Sequence, residues 1–223
     1  MDACSDPTAG DQDPRSASAL KSRKVHWRRI QVPSDASLGE LHFILQTAMG
    51  WDDGHLHLFS VRGATYADGR IEDPWGTPPK DENRTRLAGV APVGTRLRYE
   101  YDFGDCWKHV VRVEAHLKPE DKMTYPRCIG GQRRAPPEDC GGPWAFMTRR
   151  DDISLQAMDI FTDILDDLEC HDADALENHV DNINELREWL TLDEFDRRAV
   201  NRRLRQYANH EMAWTDVVIA RSL

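Results

Sequence analysis

The stretch GTRLRYEYDFGDCWKHVVRVEAH, residues 94–116, decides the fold. Gly94 to Tyr101 and Cys106 to His116 read as two strands rich in aromatic and β-branched residues. Between them Asp102-Phe103-Gly104-Asp105 reads as a tight turn. Asp at such positions accepts hydrogen bonds from nearby backbone N–H groups, and Gly104 is expected to supply a positive φ. Trp107, His109, Val111 and Val113 alternate onto one face of the second strand, so that face is expected to be the core.

Working outward toward the N-terminus, Lys24–Val32 reads as a strand closed by Pro33. Ser37-Leu38-Gly39-Glu40 has capping-box spacing. Leu38, Leu41, Leu45 and Ala48 follow at helical period, with Ile44 and Met49, and Gly50 ends the run. His55–Val61 reads as a second strand, Ala64–Tyr66 as a short return strand, and 68–89 as a long polar loop. A second loop, 118–143, holds five Pro and four Gly. A helix and strands of this order predict an α+β fold, a mostly antiparallel sheet with a packed helix.

Beyond residue 150 the period becomes helical. Ile153, Ala157, Ile160, Phe161, Ile164, Leu165 and Leu168 form one apolar stripe. Leu176, Val180, Ile183, Leu186 and Leu190 form another. Thr191-Leu192-Asp193-Glu194 has capping-box spacing before a last helix that turns Phe195, Ala199, Val200, Leu204 and Tyr207 inward. The expected organisation is a disordered leader over 1–22, an α+β core over 23–150, and an acidic helical portion over 151–223 packed on that core.

The net charge of −10 is uneven. Residues 151–196 hold sixteen Asp and Glu against one Arg, a balance of −15, leaving +5 elsewhere. The overall sign argues against non-specific coating of nucleic acid. Two basic clusters remain: Lys21, Arg23, Lys24, Arg28 and Arg29, and then Arg197, Arg198, Arg202, Arg203 and Arg205. The second is a candidate nucleic-acid face, although charge runs are more often solvated surface. No eighteen-residue apolar run predicts a membrane span, and the N-terminus lacks the apolar region of a signal peptide. A cytoplasmic protein is expected. Five Cys without C-x-x-C spacing argue against a disulfide framework.

Six strings carry a resemblance. They are Tyr101–His109 (YDFGDCWKH), Tyr125–Gly131 (YPRCIGG), Pro136–Gly142 (PPEDCGG), Leu38–His42, Met49-Gly50-Trp51 and His55-Leu56-His57. Phe195-Asp196, Ala199-Val200-Asn201 and Leu204 extend it into the last helix. Together they resemble the plasmid pRiA4b ORF-3-like family. Cys106 stands where that family usually has Gly, and Trp144-Ala145-Phe146 replaces its Trp-Gly-Tyr. The resemblance implies a shared fold and a mobile-element neighbourhood, with no settled activity.

The signature loops are expected to lie against each other, forming a binding groove of Tyr101, Asp102, Asp105, Trp107, His109, Glu138 and Asp139. His55 and His57, two apart on a strand, are expected to share a face. With His109, Cys128 and Cys140 they are the candidate ligands of a divalent metal, zinc or manganese. Ordinary core or surface histidines, and small buried cysteines pinning a loop, account for the same residues. No P-loop, dinucleotide fingerprint, G-x-S-x-G or H-E-x-x-H is present. Two function classes follow. One is a non-enzymatic binding or adaptor protein with a protein or nucleic-acid partner. The other is a metal-dependent hydrolase or nuclease built on His55, His57, Asp105, His109, Glu138 and Asp139.

Overall fold

The computed structural model describes residues 26–71, 76–170 and 173–209, with side chains of 173–178 excepted. The leader expected over 1–22 and the basic residues Lys21, Arg23 and Lys24 lie outside the described residues. Its elements are β1 (Trp27–Gln31), α1 (Leu38–Met49), β2 (His57–Val61), β3 (Ala64–Ala67), β4 (Lys80–Asp81) and α2 (Leu87–Val90). They continue with β5 (Arg96–Tyr101), β6 (Trp107–Arg112), β7 (Arg127–Gln132), α3 (Gly142–Glu169), α4 (Ala173–Leu190) and α5 (Arg197–Ala208).

The chain is α+β. A five-stranded sheet runs in the order β4-β3-β2-β5-β6, antiparallel throughout except for the β3–β4 pair. A separate ribbon pairs β1 with β7. The capping box forms as the spacing predicts: Glu40 N–H donates to Ser37 Oγ (3.0 Å), and the Glu40 carboxylate accepts from the Ser37 N–H. Gly50 closes α1 in the left-handed conformation, φ 83°. The helix buries more than one stripe. Leu38, Leu41, Ile44, Leu45 and Ala48 are enclosed, but so are His42, Gln46 and Thr47: His42 and Gln46 face the sheet at Tyr99, and α5 packs on α1 with Arg203 bonded to the Thr47 carbonyl.

In the β5–β6 hairpin the turn differs from expectation at one point. Asp102 and Cys106, with φ 54° and 56°, are left-handed, whereas Gly104 is not. Cys106 is thus left-handed at the position where the resemblance leads one to expect glycine, the residue that adopts this conformation most readily. Asp102 Oδ1 accepts from the N–H groups of Gly104 (2.9 Å) and Asp105 (3.2 Å), as turn chemistry predicts.

The loop expected over 118–143 contains β7. Its Gly131 is required by packing: a Cβ there would lie 2.4 Å from the Phe195 ring. The helical portion begins at Gly142, so α3 crosses the expected 150/151 boundary. At ~1.5 Å per residue its 28 residues reach ~42 Å. Only Gly142, Phe146, Ile153 and Ala157 of α3 are buried. They join Leu186 and Trp189 of α4, and Val200, Leu204 and Tyr207 of α5, in one core with the sheet. Ile160 packs partly on that core. Phe161, Leu165 and Leu168, expected to face inward, are 51%, 59% and 49% exposed, as are Val180, Ile183 and Leu190 on α4 to similar degrees. The distal part of α3 has α4 beside it and, among the described residues, nothing over its apolar row.

Candidate functional site

The two signature loops meet. Tyr101 at the end of β5 donates its hydroxyl hydrogen to Glu138 Oε1, and the Asp52 N–H donates to Glu138 Oε2 (2.6 Å). His55 Nε2 lies 2.7 Å from Asp139 Oδ1 and 3.8 Å from Asp102 Oδ2. Trp51 pins the junction, stacking on Tyr101 (5.2 Å) and donating Nε1–H to the Pro136 carbonyl (2.9 Å). Donor atoms of His55, Asp102 and Asp139 fall within 4.8 Å of one another. Burial alone would lower the His55 pKa, but the Asp139 hydrogen bond and the charges of Asp102, Asp139 and Glu138 outweigh it and raise it. Burial, and then Glu138, raise the Tyr101 pKa.

The remaining candidates separate. His55 and His57 do not converge: His57 points into the core and is 2% exposed, while His55 stays in the groove. His109 sits against Trp51 (5.5 Å, edge-on) and Tyr99 (5.6 Å). Its Nε2 is buried without a hydrogen-bond partner, and burial lowers its pKa to about 4. Trp107 is core, 7% exposed, and Asp105 keeps a buried, unpartnered Oδ2. Cys128 is buried on β7 and bonded to Asn201 of α5, its thiol donating to the Gly130 carbonyl. Burial raises the thiol pKa of Cys128, and that of Cys140 to about 11. Among the described residues, neither cysteine nor His109 falls in a group of converging metal donors, so the five-residue metal set expected from sequence is not assembled.

A second cluster was not read from the sequence. His42 of α1 and His57 of β2 stack with ring centroids 3.5 Å apart and planes 5° apart. His42 Nε2 donates to Asp53 Oδ1 (2.7 Å), and its Nδ1 accepts from the Tyr99 hydroxyl (2.9 Å), whose oxygen accepts from Gln46 Nε2 (2.9 Å). His57 Nε2 reaches both Glu82 oxygens (3.1 and 3.0 Å). Burial, and then the neighbouring His57, lower the His42 pKa to about 4. The available signal was spacing: His42 and Gln46 follow Leu38 at one-turn intervals, placing two polar residues on the apolar face.

Two surfaces complete the inventory. On α5, Arg197, Arg198, Arg202 and Arg205 are exposed. Arg203 instead leaves this face, donating to the Thr47 (3.0 Å) and Ala48 (3.4 Å) carbonyls at the end of α1. On α3 and α4, Leu155, Met158, Phe161, Leu165 and Leu168 stand beside Val180 and Ile183 as an exposed apolar row. Asp159, Asp163, Asp166 and Asp181 are interspersed with it in sequence. A groove of about 300 Å³ lies elsewhere, between β1 and residues 111–119; its size does not point to the clustered chemistry. Among the described residues no helix is long and apolar enough to cross a membrane.

Comparison with known proteins agrees with the motifs. The uncharacterized protein y4hQ of Sinorhizobium fredii is 37% identical over 121 residues, 53% of this chain and 61% of that protein. The match thus spans about three-fifths of that relative's length. The crystal structure of a protein of unknown function, MM3350 from Methanosarcina mazei Go1, is similar with a TM-score of 0.57 at 28% identity. That likeness covers 80% of this chain and 90% of the other. The model of the plasmid pRiA4b ORF-3-like proteins matches residues 19–204, most of the 223-residue chain, and the chain belongs to that family.

Proposed function

We propose that this protein is a non-enzymatic adaptor that takes a protein partner on α3 and α4. The observation that carries the reading is the apolar row from Leu155 to Leu168, about half exposed or more at each named position. Large contiguous apolar surface on an otherwise packed protein marks an interaction site. The row repeats at helical spacing, so it offers a groove to an amphipathic helix. Its surroundings select the charge of that helix, because residues 151–196 carry a balance of −15, sixteen acids against one Arg. The fitting partner is a basic amphipathic helix, steered by charge and held by apolar burial.

The test uses a synthetic amphipathic helical peptide of Leu and Lys, titrated calorimetrically into the full chain. Binding is expected, weakening with added salt. Leu165→Asp adds no basic charge and removes only an exposed side chain. It should reduce affinity at least roughly tenfold, the equivalent of ~1.4 kcal/mol, with the melting temperature unchanged. Binding that survives Leu165→Asp contradicts the reading. So does a dimer that this substitution dissolves, which would place a second copy on the row.

A metal-dependent hydrolase or nuclease is the second reading, favoured by the convergence of His55, Asp102 and Asp139 beside Glu138. Metal-stimulated hydrolysis of nucleic acid or an ester, lost in His55→Ala, would replace the adaptor reading with it.

A further inference from the structure

We propose that the buried chamber between α1 and the sheet is a binding site for a divalent transition metal ion of the zinc type, with His42, Asp53 and His57 as ligands and Glu82 as the supporting carboxylate. One donor atom each from His42, Asp53 and His57 already lies within 4.8 Å of the other two. The residues come from separate segments, α1, the loop after it, β2, and the turn after β4, so the fold itself gathers them.

Charge is the first argument. Glu82 is 2% exposed and the Asp53 side chain 17%. Each carboxylate is bonded to one of the two imidazoles, and among the described residues no Lys or Arg forms an ion pair with either. Two carboxylates held away from water need compensation. Two imidazoles stacked at 3.5 Å cannot both supply it, since each protonated ring would repel the other. A divalent ion supplies both charges at once, and binding it requires the two rings to turn out of their parallel stack so that each lone pair meets the ion in its own ring plane.

The second argument counts hydrogen-bonding groups. Asp53 and Glu82 only accept when ionised. His57 Nδ1 and Gln46 Oε1 are buried with no partner at all. The chamber therefore holds more lone pairs than protons, which suits a cation and not a further hydrogen-bond donor network. The Tyr99 hydroxyl, placed between His42 Nδ1 and Gln46, can accept as well as donate. It thus permits His42 to carry its proton on Nδ1 and turn the Nε2 lone pair inward, the arrangement a histidine ligand needs. Two imidazoles and a carboxylate are a donor set for zinc, with manganese and iron next.

This inference is independent of the adaptor reading. The experiment measures metal content of the full chain, purified without chelator, and then zinc affinity of the stripped protein by competition with a chromophoric chelator. One zinc per chain is expected, with a rise in melting temperature on adding zinc and a visible absorption band on adding cobalt(II). Asp53→Asn should weaken zinc binding roughly tenfold or more, while His55→Ala, in the outer groove, should leave it unchanged. If Asp53→Asn does not fold, the cobalt spectra of the unaltered chain and of His55→Ala decide in its place. A stripped protein that neither competes for zinc nor changes its melting temperature overturns the proposal. Zinc lost with His55→Ala also overturns it, by moving the ion to the outer groove.

Discussion

Gly142→Ala should destabilise the protein by roughly 2–4 kcal/mol. Gly142 has φ 77°, and a Cβ built there would lie 2.3 Å from the Asp105 carbonyl oxygen. That oxygen is backbone and part of the β5–β6 turn, so it cannot swing aside as a flexible side chain would. Left-handed backbone costs an alanine about 1 kcal/mol, and forced overpacking adds about 1–3 kcal/mol. Gly63→Ala is the matched control, with φ 79° and nothing within 4 Å of the added Cβ. It should carry only the backbone cost. Urea denaturation of both variants separates the two contributions. Equal losses would mean that the 128–142 loop is not seated on the hairpin, and the groove containing His55, Asp102 and Asp139 would dissolve with it.

Acid should expose His109. Its folded-state pKa of about 4 lies below the ordinary 6.5, because burial disfavours the imidazolium. Between those values the unfolded chain takes up a proton that the folded chain refuses. The His109 contribution is therefore intact above pH 6.5 and is lost progressively as the pH falls toward 4. A shift of this size corresponds to roughly 3 kcal/mol once the full window is crossed. The measurement is unfolding free energy from pH 7 to pH 4 for the unaltered chain and for His109→Leu. The leucine variant should have the flatter profile, since its side chain cannot titrate. At neutral pH it should not pay for a stranded partner, because His109 Nε2 has none. Parallel profiles would show that His109 is not held neutral by burial.

The sequence was most informative where local chemistry dictates local structure. Ser37 and Glu40 announce the start of α1, and the Asp102–Asp105 turn announces the hairpin, because caps and turns depend on neighbours in the chain. Long-range demands were less legible. Gly130 and Gly131 weaken the strand signal of β7, yet Gly131 is required by Phe195, a contact 64 positions away. Pro143 reads as loop by composition but stands at the first turn of α3, where a proline is welcome. Periodicity identified the apolar row of α3 but not whether anything covers it. Five arginines in one run suggested one basic face, but Arg203 turns inward to hold the end of α1.

The candidate site divides along the same line. The groove joining Tyr101, Asp102, Glu138 and Asp139 follows from two loops rich in Gly, Pro and acids. The His42–His57 pair does not, because helix and strand patterns place the two histidines on separate elements without saying that they stack. His55 and His57 look alike in sequence and end in different environments, one bonded to Asp139 and the other to Glu82. His55 precedes β2, whereas His57 is its first residue.

The most direct measurement of the adaptor account is a nuclear magnetic resonance titration of the isotope-labelled chain with the Leu–Lys helical peptide. The account predicts shift changes concentrated at Leu155, Met158, Phe161, Leu165, Leu168, Val180 and Ile183, with the β-sheet signals unmoved. Changes spread over the acidic surface without saturation, or concentrated at His55, Asp102 and Asp139, would contradict it.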